Sequence, residues 1–260
     1  MTELLVAGLD DGQPRAETWL LNRPRVHNAL NPALVRAMHQ ALRRAEAADR
    51  RVVLLRGAGP SFCAGADLTF LGGHDPGLQE TPRAFLEEIW DLTLAMERSP
   101  VVLVAALHGS VVAGGLELAL ACDVVLAAEG ARIGDGHVRN NLVPGGGASA
   151  RMERALGRGT AAWLGLIGEL LPAADPGFAG WLRAVVPDDG LDAAARSTVE
   201  RILAVHTPAQ RRYKRLLHVN AAAPDEADKK AELDEFDRHW LEQDVPAALR
   251  TFRTRKREAR

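Results

Sequence analysis

Apolar residues along the chain follow two rhythms. Short, wholly apolar runs at residues 52–55, 101–107 and 124–127 have the character of strands covered on both faces. Residues 16–21 read as an earlier main strand. Between them the period changes: Leu34, Met38, Ala41, Leu42 and Ala45 recur at the three-to-four spacing of one buried helix face. Asn31-Pro32 just ahead supplies an N-cap followed by Pro at the first helical position. Residues 114–121 form a helix-length apolar segment with a single carboxylate, Glu117, inside it. Strand, helix and strand alternate, which predicts an α/β fold with a parallel core.

Residues 101–122 resemble a membrane span, since His108, Ser110 and Glu117 are their only strongly polar side chains. Gly109, Gly114 and Gly115 instead divide them into a strand, a turn and a buried helix. After about residue 150 the strand signal fades, and helical segments dominate between Pro172, Pro176, Pro187, Pro208 and Pro224. Residues 225–244 carry nine acids against Lys229, Lys230 and Arg238, and residues 250–260 carry six cations against Glu258; both read as solvated helix faces.

Composition narrows the function classes. The chain has 260 residues, 47% apolar and 25% charged, with 32 Lys plus Arg against 34 Asp plus Glu and two Cys. That excludes a disulfide scaffold, a disordered tail and a strongly basic nucleic-acid binder. The start carries Glu3, Asp10 and Asp11 where a secretory signal needs a basic start and an unbroken apolar run, so a cytoplasmic protein is expected. Lys occurs only at 214, 229, 230 and 256, so 28 of the 32 cations are Arg, the side chain that grips carboxylate or phosphate as a fixed fork. Cys63 and Cys122 are isolated and the eight His lack ligand spacing, so no metal is expected.

Three segments carry candidate chemistry. Phe62-Cys63-Ala64-Gly65-Ala66-Asp67-Leu68 follows an apolar strand and the turn Gly57-Ala58-Gly59-Pro60. Its small residues allow close backbone approach, and Asp67 is placed to cap a helix. A dinucleotide fingerprint fails here because Phe62 stands where the third glycine belongs. The second segment runs from Gly109 through Gly114, Gly115 and Glu117 to Asp123. A helix opening at Gly114 leaves its first N–H groups unpaired beside the positive end of the dipole. Burial of Glu117 one turn in would raise its pKa toward the range of proton transfer, although a salt-bridged structural Glu fits the same pattern. The third segment is Ile133-Gly134-Asp135-Gly136-His137-Val138, followed by Leu142-Val143-Pro144 and three glycines. A lone His there reads as structural, and His108 with Ser110 lacks the third partner of a triad.

Taken in order, FCAGADL, AGGLELALACD, IGDGHV and LVPGGG resemble the enoyl-CoA hydratase/isomerase, or crotonase, family. Asn22-Arg23-Pro24 with Asn28-Ala29-Leu30-Asn31 near the start, and Phe252 with Arg255-Lys256-Arg257 near the end, extend the resemblance over nearly the whole chain. It implies a crotonase-like spiral of ββα turns over residues 1–195, and a C-terminal helical region over 196–260 that builds a homotrimer or a hexamer of two trimers. It also implies an acyl-CoA thioester substrate, with CoA as part of that substrate, no separate cofactor, and neither nucleic acid nor membrane as partner. The matching oxyanion donors are the N–H groups of Ala66 and Gly114. Two fixed donors suit an enolate whose charge develops on the thioester oxygen, and losing one such donor costs about 3 kcal/mol. Arg25, Ala64, Asp67, Leu68 and Lys256 match the CoA-binding positions, and the tail cations Arg253, Arg255 and Arg257 join Lys256 as expected phosphate contacts.

One position departs from the pattern. Hydratases of the family use two carboxylates; Glu117 matches the first, but His137 stands where the second is usually Glu, with Asp135 the nearest remaining carboxylate. A Glu117/His137 pair can orient water and deliver or remove a proton at the α carbon. Hydratase-like chemistry is the leading expectation, with double-bond isomerisation, thioester hydrolysis or decarboxylation next, and a non-catalytic acyl-CoA or acyl-carrier-protein binder as the alternative of another class. Phe70, Leu71, Phe85, Ile89 and Trp90 suit an apolar pocket wall, though at helical spacing they fit ordinary core equally well, and the acyl group itself cannot be read from the residues.

Overall fold

The computed structural model describes residues 2–9, 15–73, 81–220, 226–243, 245 and 249. Strand β1 (Leu4–Gly8) pairs antiparallel with β2 (Ala16–Leu21). Helix α1 (Pro32–Ala47) follows, with the Asn31 side chain accepting a hydrogen bond from Leu34 N at 2.8 Å. Its buried face includes the five residues whose spacing predicts it. Then come β3 (Val52–Gly57), α2 (Leu68–Gly72), α3 (Pro82–Arg98), β4 (Val102–Leu107), β5 (Ser110–Val112) and α4 (Gly114–Leu120). The chain continues through β6 (Val124–Ala128), β7 (Arg132–Gly134), α5 (Ala148–Ile167), β8 (Leu171–Pro172), β9 (Leu182–Val186), α6 (Leu191–Leu203), α7 (Thr207–Asn220) and α8 (Glu226–Glu242).

Six strands form one sheet in the order β1-β2-β3-β4-β6-β9, parallel from β2 onward. A smaller layer lies beside it. Parallel bridges join Leu30 to Ala66 and Cys63 to Val111, and β5, β7 and β8 continue that layer. Each passage of the chain thus gives one long strand to the large sheet and one short segment to the small layer before returning, which is the ββα spiral the resemblance implies.

The central strands alternate strictly between two cores. Val53, Leu55, Leu103, Ala105, Leu107, Val125 and Ala127 face the main core with α1 and α3, whereas Val52, Leu54, Val102, Val104, Ala106, Leu126 and Ala128 face the other side. That second side is closed by Leu191, Ala195 and Val199 of α6. Burial on both faces explains why these strands read as unbroken apolar runs.

One expectation needs correction. The strand signal does not end at residue 150: β9 extends the large sheet and β8 the small one. β9 is an edge strand with only Leu182 fully buried, so it lacks the apolar run that marks β3 or β4. The division expected between residues 195 and 196 falls inside α6. Residues 101–122 are β4, β5 and α4 with their turns, and among the described residues no helix is long and apolar enough to cross a membrane.

Candidate active site

Two backbone segments of the small layer converge to form the site. Leu30 donates to Gly65 O at 2.7 Å and accepts from Asp67 N at 2.7 Å. In a parallel bridge of this kind the intervening residue, Ala66, turns its own N–H away from Leu30. It faces the start of α4. A Cβ built on Gly114 would lie 3.5 Å from Ala66 N and 3.4 Å from Gly65 Cα, and one built on Gly65 would lie 3.2 Å from Gly114 N. Gly65 is the position that requires glycine: it sits at φ +92 and a Cβ there would lie 2.8 Å from Ala113 Cβ, whereas a Cβ on Gly114 would crowd only the end of Leu30. The residue before Gly114 is strained: Ala113 has φ 50 and ψ −117, a region side chains rarely enter. It is held by its own N–H to Gly134 O at 3.2 Å and by its carbonyl accepting from Glu117 N at 2.9 Å. Residues 65–66 and Gly114 thereby lie on two backbone segments in contact.

Glu117 is 2% exposed, in a helix whose every residue is buried. Its Oε1 accepts from Gly146 N and Ala148 N, each at 3.1 Å. Burial pushes its pKa up to about 7; the charges of Glu232 and Asp135 add to the rise, while His137 and the Ala148 N–H oppose it. A methyl group on Gly146 would collide with this carboxylate.

His137 opens a 3-10 turn over His137–Asn140, and its Nδ1 lies 2.9 Å from Asp135 Oδ1. Asp135 is 1% exposed, so it fixes the ring and leaves Nε2 as the free nitrogen. Burial alone would lower the His137 pKa, but the Asp135 charge and hydrogen bond, with Glu117 and Glu232 behind them, raise it to about 9. Asp135, expected as an additional acid or base, is therefore placed to orient His137.

The turn at residues 145–147 joins these groups. Its Gly146 and Gly147 carbonyls accept from Arg151 Nη1 at 3.3 and 3.4 Å, and Thr93 Oγ1 lies 3.3 Å from Gly146 O. Arg151 is fully buried, paired with Glu97 at 3.0 Å and stacked over Trp90. On the N–H side, Glu117 takes residues 146 and 148, while Glu232 of α8 takes Gly147 N at 2.6 Å and Ser149 N at 3.0 Å. The sequence reading missed Glu232 and assigned its helix to solvent. Its signal was one carboxylate beside Leu233 and four residues before Phe236, the three side chains that α8 buries.

A cavity of about 50 Å³ lies against this cluster, lined by Ala64, Ala66, Leu68, Ala113, His137, Asn140, Phe236 and neighbouring apolar side chains. Ala64 and Leu68, expected to contact CoA, line this cavity. The Asp67 carboxylate is instead engaged by Thr69 N and Arg23 Nη2, both at 3.0 Å, which braces the segment carrying Ala66. Arg25 is exposed on the 3-10 turn Pro24–Val26, next to His27, whose carbonyl accepts from Ala64 N at 2.9 Å. Lys256 and the tail arginines lie outside the described residues. Of the expected pocket wall, Leu71 lines the cavity, while Phe85, Ile89 and Trp90 are core residues. Phe70 packs edge-on against Phe85 at 5.1 Å. Among the described residues no group of three or more metal-ligating side chains gathers.

The fold is a spiral of ββα turns, and its site gathers a buried Glu117 and a His137 whose pKa is raised. The family model described as enoyl-CoA hydratase/isomerase matches residues 19–259. A "probable enoyl-CoA hydratase" of Rhizobium meliloti is 34% identical over 206 residues, covering 77% of each chain. A "2,3-dehydroadipyl-CoA hydratase" of Escherichia coli is 35% identical over 191 residues, covering 73% of this chain and 71% of its own. The crystal structure of an enoyl-CoA hydratase from Mycobacterium avium subsp. paratuberculosis matches with a TM-score of 0.84 at 28% identity, over 96% of this chain and 98% of that one. The chain belongs to the enoyl-CoA hydratase/isomerase family.

Proposed function

We propose that the protein adds water across the double bond of an α,β-unsaturated acyl-CoA thioester. The observation that carries this reading is a buried Glu117, with a pKa of about 7, close enough to feel the charge of an Asp135-held His137, with a pKa of about 9, which lines the cavity. Between those values the carboxylate is ionised while the imidazole is protonated, so one site holds a base and an acid together.

The thioester oxygen accepts from Ala66 N and Gly114 N. Glu117 takes a proton from water as the hydroxyl oxygen bonds to the β carbon, and the double-bond electrons move onto the thioester oxygen as an enolate. The two N–H groups stabilise that charge without reorganising. His137 Nε2–H then protonates the α carbon and the enolate collapses. Return of the proton from Glu117 to His137 restores both groups, so the net change is one water added. The CoA phosphates meet Arg25 and Lys256, and the adjoining part of CoA runs along Ala64 and Leu68. No cofactor is needed beyond the CoA of the substrate. A trimer or a pair of trimers, in the cytoplasm, belongs to the same reading through the family resemblance.

A mass-spectrometric screen of saturated, α,β-unsaturated, β,γ-unsaturated and malonyl-type CoA esters in heavy-oxygen water tests it. Hydration places one heavy oxygen on the β carbon of an α,β-unsaturated ester. Double-bond movement without oxygen uptake would make the enzyme an isomerase, heavy oxygen in a released acid a hydrolase, and loss of carbon dioxide from the malonyl-type ester a decarboxylase. Binding without any conversion would make it a non-catalytic member.

A further inference from the structure

Helix α8 is charged and largely exposed, yet it turns one face into the site. Leu233 joins the main core, Phe236 lines the cavity and Glu232 is 7% exposed. The helix is held there by Arg83 to Asp237 at 2.5 Å and Lys229 to Asp91 at 2.5 Å, and by His239 Nε2, which lies 2.9 Å from Asn141 O just past the turn bearing His137. Both oxygens of Glu232 are used, Oε1 by Gly147 N and Oε2 by the Ser149 N–H and hydroxyl.

An ordinary helix start needs nothing so remote. Its N-cap side chain closes the first turn locally, but the N-cap of α5 is Gly147, at φ 104 and without a side chain. The backbone N–H groups of residues 146 to 149 instead alternate between two buried carboxylates, Glu117 from one side and Glu232 from the other. Movement of Glu232 therefore moves the turn that aims Glu117. Its charge also faces both reacting groups: Glu117 on α4 and His137 on its 3-10 turn, where Asp135 is the further charge. From α5 it meets Ser149 and Gly147, and its own helix adds Asp228 and Glu235 along the groove beside Ser149.

We propose that Glu232 is a positioning residue of the reaction, holding the turn that aims Glu117 and setting the charge around His137 without touching the thioester. This rests on the assignment of Glu117 and His137 as base and acid. Burial raises the Glu232 pKa, opposed by the Ser149 hydroxyl and the Gly147 and Ser149 N–H groups; once ionised, Glu232 raises the proton affinity of both Glu117 and His137, so removing its charge moves both limbs of the pH profile toward acid.

The test compares Glu232→Gln, Glu232→Asp and Glu232→Ala in the full chain. Gln is expected to shift both limbs of the kcat profile downward with KM for the CoA ester within about twofold, and Asp to bring them back toward wild type. Ala frees the turn, and kcat falls by roughly 10²-fold, the usual cost of a small misplacement. Nuclear magnetic resonance titration of His137 supplies a readout that needs no turnover: its midpoint is lower in the Gln variant. Ser149→Ala, which leaves the carboxylate in place and removes one donor, is the milder probe should Gln unfold the protein, and it shifts the same midpoint downward by less. Unmoved limbs and an unmoved His137 midpoint, with only stability lowered, would make Glu232 a helix cap and overturn the proposal. A shifted midpoint in a protein that converts no CoA ester would instead refute the hydration reading and leave the electrostatic role of Glu232 standing.

Discussion

Replacing Asp135 by Asn removes one charge and almost no volume, so it isolates what that carboxylate does for His137. Burial alone would push the imidazole below its ordinary value of 6.5; the Asp135 charge and hydrogen bond are the largest influences that carry it to about 9 instead. Without that charge only Glu117 and Glu232 oppose burial, and a return to the ordinary 6.5 would be a change in proton affinity of about 3 kcal/mol. At a pH near 8, the protonated fraction then falls from about nine in ten to about one in thirty. If the imidazolium delivers the α proton, kcat at that pH drops about 30-fold from protonation state alone. The basic limb of the profile also moves toward acid, and the two groups titrate together because the Asp135 charge raises the pKa of Glu117 as well. Both are read from the loss of the conjugated enoyl absorbance across a pH series, with the variant's melting temperature followed alongside. A basic limb still near 9, or a rate near pH 8 within twofold of wild type, would refute the role given to the Asp135–His137 pair.

Glu117→Gln keeps the Oε1 acceptor for Gly146 and Ala148 but cannot take a proton. Turnover is expected to fall by about 10³-fold, with CoA-ester binding by calorimetry unchanged; a rate within tenfold of wild type would remove Glu117 as the base. Gly114→Ala puts a methyl 2.9 Å from Leu30 Cδ1 and within contact of Ala66 N, narrowing the space between the two donors. A loss of 10² to 10³ in kcat is expected, checked by steady-state kinetics on a variant shown to be folded. His137 also ties stability to pH. Its folded pKa of about 9 lies above the unfolded 6.5, so its contribution, about 3 kcal/mol, is fully present below about 6.5 and is lost as pH rises through 9. Urea midpoints measured across that window should therefore fall more steeply for wild type than for His137→Gln.

The parts legible in the sequence are those whose cause is local. β3, β4 and β6 are buried on both faces, so every residue along them is apolar, and α1 announces itself through Asn31, Pro32 and one clean stripe. The close approach of residues 65–66 to the start of α4 was legible for a related reason: a backbone at φ +92 with Ala113 Cβ within 3 Å of where a side chain would begin needs Gly65, and that need is written in residue type. The edge strand β9 has one face half in water and shows no such run. The ionic character of the site was hidden more deeply. Asp135 and His137 are two residues apart and could be paired on paper, but the direction of the His137 shift depends on which of burial and charge wins, and that is settled by Glu117 and Glu232 arriving from other elements. Glu232 itself sits among nine acids of a solvated-looking stretch. What distinguishes it is a face shared with Leu233 and Phe236, and that pattern is too short to separate from chance until α5 is seen to begin with glycines that cannot cap themselves. The glycine turn is thus the link between the two kinds of information: its missing side chains are visible in sequence, and the two carboxylates that answer for them are visible only in space.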